Sequence, residues 1–169
     1  MRRVIAWCMA LGLLAGCAGP LRLGMTIPQR ELQQRLDQHF PFETQVLLFD
    51  VKLSAPALSL EPAADRVGLR LALQAGMAGV NYQGEVALDS GIAYQAKSGA
   101  LVLVAPKLLR FQLDEMPEIF CRQVEKVVGP LVTAHLDSLP VYQLKEGQAR
   151  RRLKALRIEK DQVVAELGF

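Results

Sequence analysis

The fold is indicated most clearly by residues 66–94, RVGLRLALQAGMAGVNYQGEVALDSGIAY. Apolar side chains alternate with small or polar ones over residues 67–77, and the alternation continues over residues 80–94. A repeat of two residues is that of a β-strand with one apolar face. Both segments exceed the roughly five or six residues of an average strand. They predict two long strands, the second of them kinked at Ser90-Gly91.

Further segments extend this pattern on either side. Before it, the alternation changes phase at Pro56 and resumes at Leu58, which is typical of a bulge or a bend. After it, a predicted hairpin turn at residues 96–99 leads into another long strand, residues 100–113. Long strands with bulges and glycines twist and curl. The sequence therefore predicts a strongly curved antiparallel sheet whose apolar face needs a cover.

The cover is predicted to be a helix within residues 117–139. Its apolar side chains, such as Val124 and Val128, recur at helical spacing, and polar side chains occupy another side. The segment would span about 33 Å as a continuous helix. Pro130 interrupts it, because an internal proline removes a backbone hydrogen bond and kinks a helix. We therefore expect an α+β fold in which a long, strongly curved antiparallel sheet wraps around a long, bent helix from the C-terminal half.

Smaller elements are predicted outside this sheet and helix. Ile27-Pro28 begins a short N-terminal helix of about three turns, which ends before Pro41. Residues 141–144 predict a short strand, and residues 156–167 predict a closing hairpin.

The start of the chain has the build of a bacterial secretion signal. A positively charged start and an apolar segment over residues 4–14 are followed by small residues and a cysteine. The sequence Leu14-Ala15-Gly16-Cys17 resembles the lipobox of bacterial lipoproteins, which implies cleavage before Cys17 and acylation of Cys17. The alternatives are an ordinary cleaved signal and a membrane-spanning helix. A spanning helix needs roughly 20 apolar residues, and this segment is well short of that.

This resemblance divides the chain into a signal peptide (residues 1–16), an acylated tether (residues 17–26) and a single domain (residues 27–169). An acylated cysteine would anchor the domain to a membrane. Ala18 follows the cysteine, whereas Asp at that position is the usual mark for retention in the inner membrane. The resemblance therefore implies the outer membrane, with the domain facing the periplasm.

The charge balance excludes one class of partner. Two of the 20 basic residues, Arg2 and Arg3, belong to the signal, which leaves 18 basic residues against 17 acidic ones. A nearly neutral domain gives no electrostatic reason to expect nucleic-acid binding.

The residue types that perform catalysis are sparse. The sequence has no phosphate-binding glycine loop, no His or Cys cluster spaced for a metal, and no nucleophile motif. Cys121 is the one cysteine left after the signal and Cys17, so no internal disulfide is expected, and it is interpreted as a buried structural residue. His135, near the apolar side of the predicted helix, is interpreted as structural too. We expect no catalytic residue, no cofactor and no metal.

Two features could serve binding. The 51% hydrophobic content is compatible with an ordinary core, or with a groove between sheet and helix that holds an acyl chain. Such a groove would be lined by Leu69, Leu71, Leu73, Met77, Tyr82, Val86, Leu88, Val124, Val128 and Leu131. The second feature is the basic run Arg150, Arg151 and Arg152, which could contact phosphate headgroups or form a solvated surface.

The order of short motifs resembles that of the YceB-like bacterial lipoproteins. The motifs are Ile27-Pro28, Arg66-Val67-Gly68-Leu69, Gly84-Glu85-Val86-Ala87-Leu88, Gly91-Ile92-Ala93-Tyr94 and Leu139-Pro140-Val141-Tyr142. That family in turn resembles the TULIP superfamily, in which a curved sheet wraps a long helix and many members hold lipids. The resemblance implies a membrane-anchored, non-catalytic protein that binds or shields a lipid or another hydrophobic ligand. The alternative is a structural or adaptor lipoprotein that docks an envelope protein and holds no ligand.

Overall fold

The computed structural model describes residues 23–145 and 152–168, and most of these residues lie in β-strands. The strands in these ranges are β1 (Leu23–Pro28), β2 (Phe42–Val46), β3 (Phe49–Glu61), β4 (Arg66–Met77), β5 (Val80–Gln95), β6 (Ala100–Leu113), β7 (Pro140–Gln143), β8 (Arg152–Glu159) and β9 (Gln162–Gly168). The α-helices are α1 (Gln29–Asp37) and α2 (Glu118–Leu136).

Six strands form one antiparallel sheet in the order β2-β3-β4-β5-β6-β7, and this sheet curls strongly into a half-barrel. The alternating segments that decide the fold are at its centre. Val67 lies opposite Ser90, and the pairing continues to Met77 and Val80, which flank a two-residue turn. The curl brings distant strands together, because α1 contacts both β3 and β7 although three strands lie between them. The predicted curved antiparallel sheet is confirmed.

Bulges and one close approach accompany this curl. The register of β3 against β4 shifts between Ser54 and Ala57, where the sequence predicts a bulge around Pro56. The register of β5 against β6 shifts twice. Gly84 lies so close to β6 that a Cβ atom there would overlap the backbone carbonyl of Gln112. Since bulges add twist and glycine permits close approach, these residues shape the half-barrel.

One continuous core joins the sheet to both helices. The buried side chains of α2 recur every four residues as Val124, Val128, Val132 and Leu136, and α1 adds Leu32 and Leu36. The helix α2 packs mainly against β6. Each fully buried Val or Leu side chain contributes roughly 1.5–3 kcal/mol. The apolar face of the sheet is thus covered by helix, as predicted.

The expected N-terminal helix is wrong in its position and its length. The described chain starts with β1, so residues 23–26 belong to a strand and not to a tether. The helix α1 begins at Gln29 and has nine residues, fewer than three full turns. The strand forms because β9 offers a free edge, with Ile27 opposite Val163. Strands β1, β9 and β8 make a second, three-stranded sheet. Its β8–β9 hairpin confirms the predicted closing hairpin, whereas the addition of β1 was not predicted.

The long helix is also shorter than expected. It has 19 residues and a length of about 28 Å at the usual rise per residue. It continues through Pro130 and ends at Leu136, because the Asp137 carboxylate accepts a hydrogen bond from the backbone N–H of Ala105 at 3.1 Å. Ser138 then has a positive φ of 65°, which reverses the chain toward β7. Neither described helix is long and apolar enough to cross a membrane.

Candidate functional site

Most of the predicted lining residues lie in the closed core. Those that are fully or almost fully buried are Leu69, Leu71, Leu73, Val86, Leu88, Val124 and Val128. They pack together with the rest of the core cluster. A ligand that touched them would have to displace native side-chain contacts.

The other predicted residues lie apart from this group. Met77 is partly exposed at the turn between β4 and β5, while Tyr82 and Leu131 are half-buried. The expected acylation site Cys17 and the basic residues Arg150 and Arg151 lie outside the described residues. Arg152 begins β8, and its side chain also lies outside the description.

The surface that combines an apolar floor with open space lies between α2 and β6. This groove, called here the α2–β6 groove, has a volume of about 610 Å³. It is lined by Leu108, Arg122, Glu125, Lys126, Gly129, Pro130 and Thr133. A volume in this range is usual for small-molecule sites.

The spacing of the helix residues explains why they share one wall of the groove. Arg122, Lys126, Pro130 and Thr133 follow one another by three or four residues, which places them on one side of the helix. Gly129 lets the helix approach the strand, since a Cβ atom there would lie 3.1 Å from Cδ2 of Leu108. The floor is thus made by Leu108, Gly129 and Pro130.

Polar side chains of α2 form the wall beside this apolar floor. The Thr133 hydroxyl donates to the carbonyls of Gly129 and Pro130, at 3.2 and 3.0 Å, so it is already hydrogen-bonded within the helix. Arg122 forms an exposed ion pair with Glu118 at 3.4 Å, which adds little stability. Lys126 is exposed at the groove. The groove therefore offers apolar contact for an alkyl chain, with the cations of Arg122 and Lys126 and the carboxylate of Glu125 beside it.

Two other concavities are lined mainly by residues with polar or charged side chains. One of about 550 Å³ is bordered by Glu43, Asp50, Lys52, Gln74 and Asn81, with Thr44 and Val51. The other, of about 450 Å³, lies between α1 and the β8–β9 turn at Asp161. Neither offers the apolar floor that an acyl chain requires.

His135 packs among aromatic rings, and His39 contacts a backbone carbonyl. The ring of His135 stacks on Phe42 with centroids 3.5 Å apart and meets Phe40 edge-on at 6.3 Å. Burial, and to a smaller extent the charge of His39, lowers the pKa of His135. A ring nitrogen of His39 is 3.0 Å from the carbonyl oxygen of Pro140. This geometry fits the structural role that the sequence suggests for His135.

Metal-binding chemistry finds no support in the described ranges. Within residues 23–145 and 152–168, no group of three or more His, Cys, Asp or Glu side chains is placed to hold a metal ion. Cys121, the free cysteine there, is half-buried near the start of α2.

The α2–β6 groove was not predicted from the sequence. Its signal in the sequence is the Gly129-Pro130 pair, which was interpreted only as an interruption of the helix. A small residue and a proline that cannot fill a helix side leave space beside it, and Arg122, Lys126 and Thr133 recur on that side.

Comparison with known proteins identifies a matching family. A family model described as "Protein of unknown function (DUF1439)" matches residues 27–164, which include the whole core and the groove. No curated protein matches the chain.

Proposed function

The chain belongs to the DUF1439 family, and we propose that it is a lipid-anchored protein that binds a hydrophobic ligand without changing it chemically. The ligand is an acyl or alkyl chain, with an acidic head group, that lies in the α2–β6 groove. The protein is attached through Cys17 to the outer membrane and faces the periplasm. It shields the ligand from water, which is the role of the TULIP-like lipid-binding proteins that its curled sheet and covering helix resemble.

The observation that carries this proposal is the apolar floor of the groove. Leu108, Gly129 and Pro130 are contiguous with the core, yet they border about 610 Å³ of open space. An alkyl chain there would remove apolar surface from water, which is favourable by roughly 25 cal/mol per Å². The cations of Arg122 and Lys126 are next to this floor and can pair with a carboxylate or a phosphate.

The groove is a better candidate than the sheet–helix interior that the sequence suggested. Leu71 and Val128 are buried within close-packed neighbours, and protein interiors leave few voids larger than a water molecule. Binding at the groove needs no such rearrangement of the core.

Native mass spectrometry tests the proposal. The chain from Ala18 onward contains every core residue and is produced in bacterial periplasm without its anchor. We expect it to carry adducts with fatty-acid or phospholipid masses that are released on denaturation. Thr133→Trp places an indole across the groove and should remove the adducts.

The matched control is Ala134→Trp, on the same helix but exposed and outside the groove lining. It should keep the adducts. Both variants should melt near the wild-type temperature, because neither changes a fully buried side chain. Adducts that persist equally in both variants would contradict binding in the groove.

The second candidate function is that of an adaptor that docks an envelope protein and holds no ligand. The closed core favours it, since seven of the ten residues expected to line a lipid site are packed away. An adduct-free wild-type mass, unchanged after incubation with a lipid extract, would favour the adaptor and reject the ligand-binding proposal.

A further inference from the structure

Two neighbouring hairpin turns at one end of the half-barrel expose aliphatic side chains. Leu47 and Leu48 form the turn between β2 and β3 and are 76% and 78% exposed. Met77 and Val80 flank the turn between β4 and β5 and are 36% and 51% exposed. We call these four residues the hairpin tip. Because Asp50 of β3 pairs with Gly76 of β4, both turns lie at the same end of the sheet.

The backbone makes Leu47 an unfavourable choice for folding, and the neighbouring turn has a similar position at Ala78. Leu47 has a φ of 53° and Ala78 a φ of 51°, in the left-handed region that favours Gly and Asn. Two-residue hairpin turns normally carry Gly, Asn or Asp at such positions. A bulky leucine that is strained and exposed at once gives the fold nothing, which indicates a role in contact with another surface.

The composition of the hairpin tip indicates hydrocarbon rather than protein as that surface. Leu and Val are under-represented among the residues that dominate protein–protein binding energy, where Trp, Tyr and Arg are enriched. The tip consists of three aliphatic side chains and a methionine, at the turns of two neighbouring hairpins. Such side chains gain by leaving water and require no polar partner.

The charges next to the tip indicate the type of bilayer. Lys52 and Glu43 form an ion pair of 2.6 Å on the adjoining strands, and Asp50 adds a second carboxylate. The loop at Asp114, whose N–H donates to the Gln83 carbonyl, brings further acidic residues to this end. A rim that carries both signs and an excess of negative charge suits zwitterionic headgroups and disfavours anionic ones.

The proposed anchor would keep a bilayer close to the domain, but it joins the fold at the end away from the hairpin tip. Gln29, which follows β1 directly, donates a hydrogen bond from its side chain to the carbonyl of Leu58, toward the far end of β3. Only six residue steps separate Cys17 from Leu23, the first residue of β1, so the connecting chain reaches about 20 Å at most. A short tether of this kind gives the membrane a high effective concentration at the domain. This one step rests on the proposed function, whereas the geometry of the tip does not.

We propose that the hairpin tip inserts into the interface of a zwitterionic bilayer and docks the domain on the membrane surface. Leu47 and Leu48 enter the boundary between headgroups and acyl chains, and Met77 and Val80 support them from the neighbouring turn. The Glu43–Lys52 pair and Asp50 remain among the headgroups.

A tryptophan reporter tests this proposal directly. The one tryptophan of the chain is Trp7, so the chain from Ala18 onward has none. In Leu48→Trp of that chain, phosphatidylcholine vesicles should shift the emission to shorter wavelength, and brominated phosphatidylcholine should quench it. In the control Leu109→Trp, at an exposed position of β6 away from both turns, neither change should occur.

A double variant distinguishes insertion of the hairpin tip from nonspecific binding to vesicles. Leu47→Gly with Leu48→Asn gives the turn favourable residues, so folding should be retained or improved. Partitioning onto phosphatidylcholine vesicles in a flotation assay should fall about a hundredfold, as expected for loss of two leucine side chains. Replacing part of the phosphatidylcholine by phosphatidylglycerol should not strengthen binding of the wild-type chain.

Several results would overturn the proposal. They are an unshifted Leu48→Trp emission, equal responses of the two reporters, unchanged partitioning of the double variant, and binding that requires phosphatidylglycerol. The groove-blocking variant Thr133→Trp should still bind vesicles. Failure of the ligand proposal and failure of membrane docking are therefore distinguishable.

Discussion

The two sides of α2 differ in their packing: one is buried against the sheet, and the other borders the open α2–β6 groove. On one side, Val124, Val128, Val132 and Leu136 recur without interruption and are sealed against the sheet. On the other side, Gly129-Pro130 breaks the pattern and leaves the α2–β6 groove open. Apolar periodicity thus identifies the side of the helix that holds the fold together. The side on which small or rigid residues interrupt the periodicity is the one on which the proposed ligand would lie.

The largest expected change in the free energy of unfolding tests whether the sheet-facing side of α2 and the core beneath it are closely packed. Leu71→Ala should lower the free energy of unfolding by about 2–5 kcal/mol, because it removes a buried side chain and leaves a cavity. Leu109→Ala, at an exposed position, should change it by no more than about 0.5 kcal/mol. Urea denaturation of both variants measures the difference. Equal losses would mean that the interior is loosely packed and could itself hold a ligand.

A smaller change in stability is expected at the C-terminal end of α2, where His135 stacks on Phe42. Burial lowers the pKa of His135 in the folded protein, so the unfolded chain binds a proton first as the pH falls below roughly 6.5. Stability from this residue is therefore present above that pH and declines as the pH falls toward the lowered pKa. His135→Phe, which keeps the ring stack, should reduce the loss of stability between roughly pH 7.5 and 5.5.

Urea unfolding at the two pH values measures this slope. Because carboxylates also titrate, the comparison is between the slopes of the variant and the wild type. Identical slopes would show that the His135 ring is as easily protonated in the folded chain as in the unfolded one. The sheet-facing side of α2 would then be open to water at this end.

The long strands could be predicted because their pattern is local. The alternation over β4 and β5, the bulge around Pro56 and the kink at Ser90-Gly91 all have signals within a few residues. The Ser90 hydroxyl donates to the carbonyl of Val104 at 3.0 Å, which stabilises the kink from the neighbouring strand.

Other elements could not be predicted because their partners are distant in the chain. The strand β1 is defined by pairing with β9, all of whose residues lie more than a hundred positions away in the chain. The short strand β2 shows only a brief alternation, and it is held by β3. The end of α2 depends on the contact of Asp137 with Ala105, which no local pattern reveals.

The residues that line the α2–β6 groove could not be predicted from the sequence. The sequence indicated a groove lined by aliphatic side chains, whereas none of the ten residues expected to line it borders the α2–β6 groove. Which side of α2 remains open depends on how Gly129 meets Leu108, a contact between segments that are not adjacent in sequence. Composition alone could not distinguish the two sides.

The most direct test of the central claim is photo-crosslinking with a long-chain fatty acid that carries a diazirine group, followed by peptide mass spectrometry. Binding in the α2–β6 groove should give crosslinks near Leu108 and along the helix side that holds Arg122, Lys126 and Thr133. Thr133→Trp should suppress them and Ala134→Trp should not. Crosslinks concentrated instead on Leu69, Leu71 and Leu73 would contradict the account and place the ligand in the interior of the half-barrel.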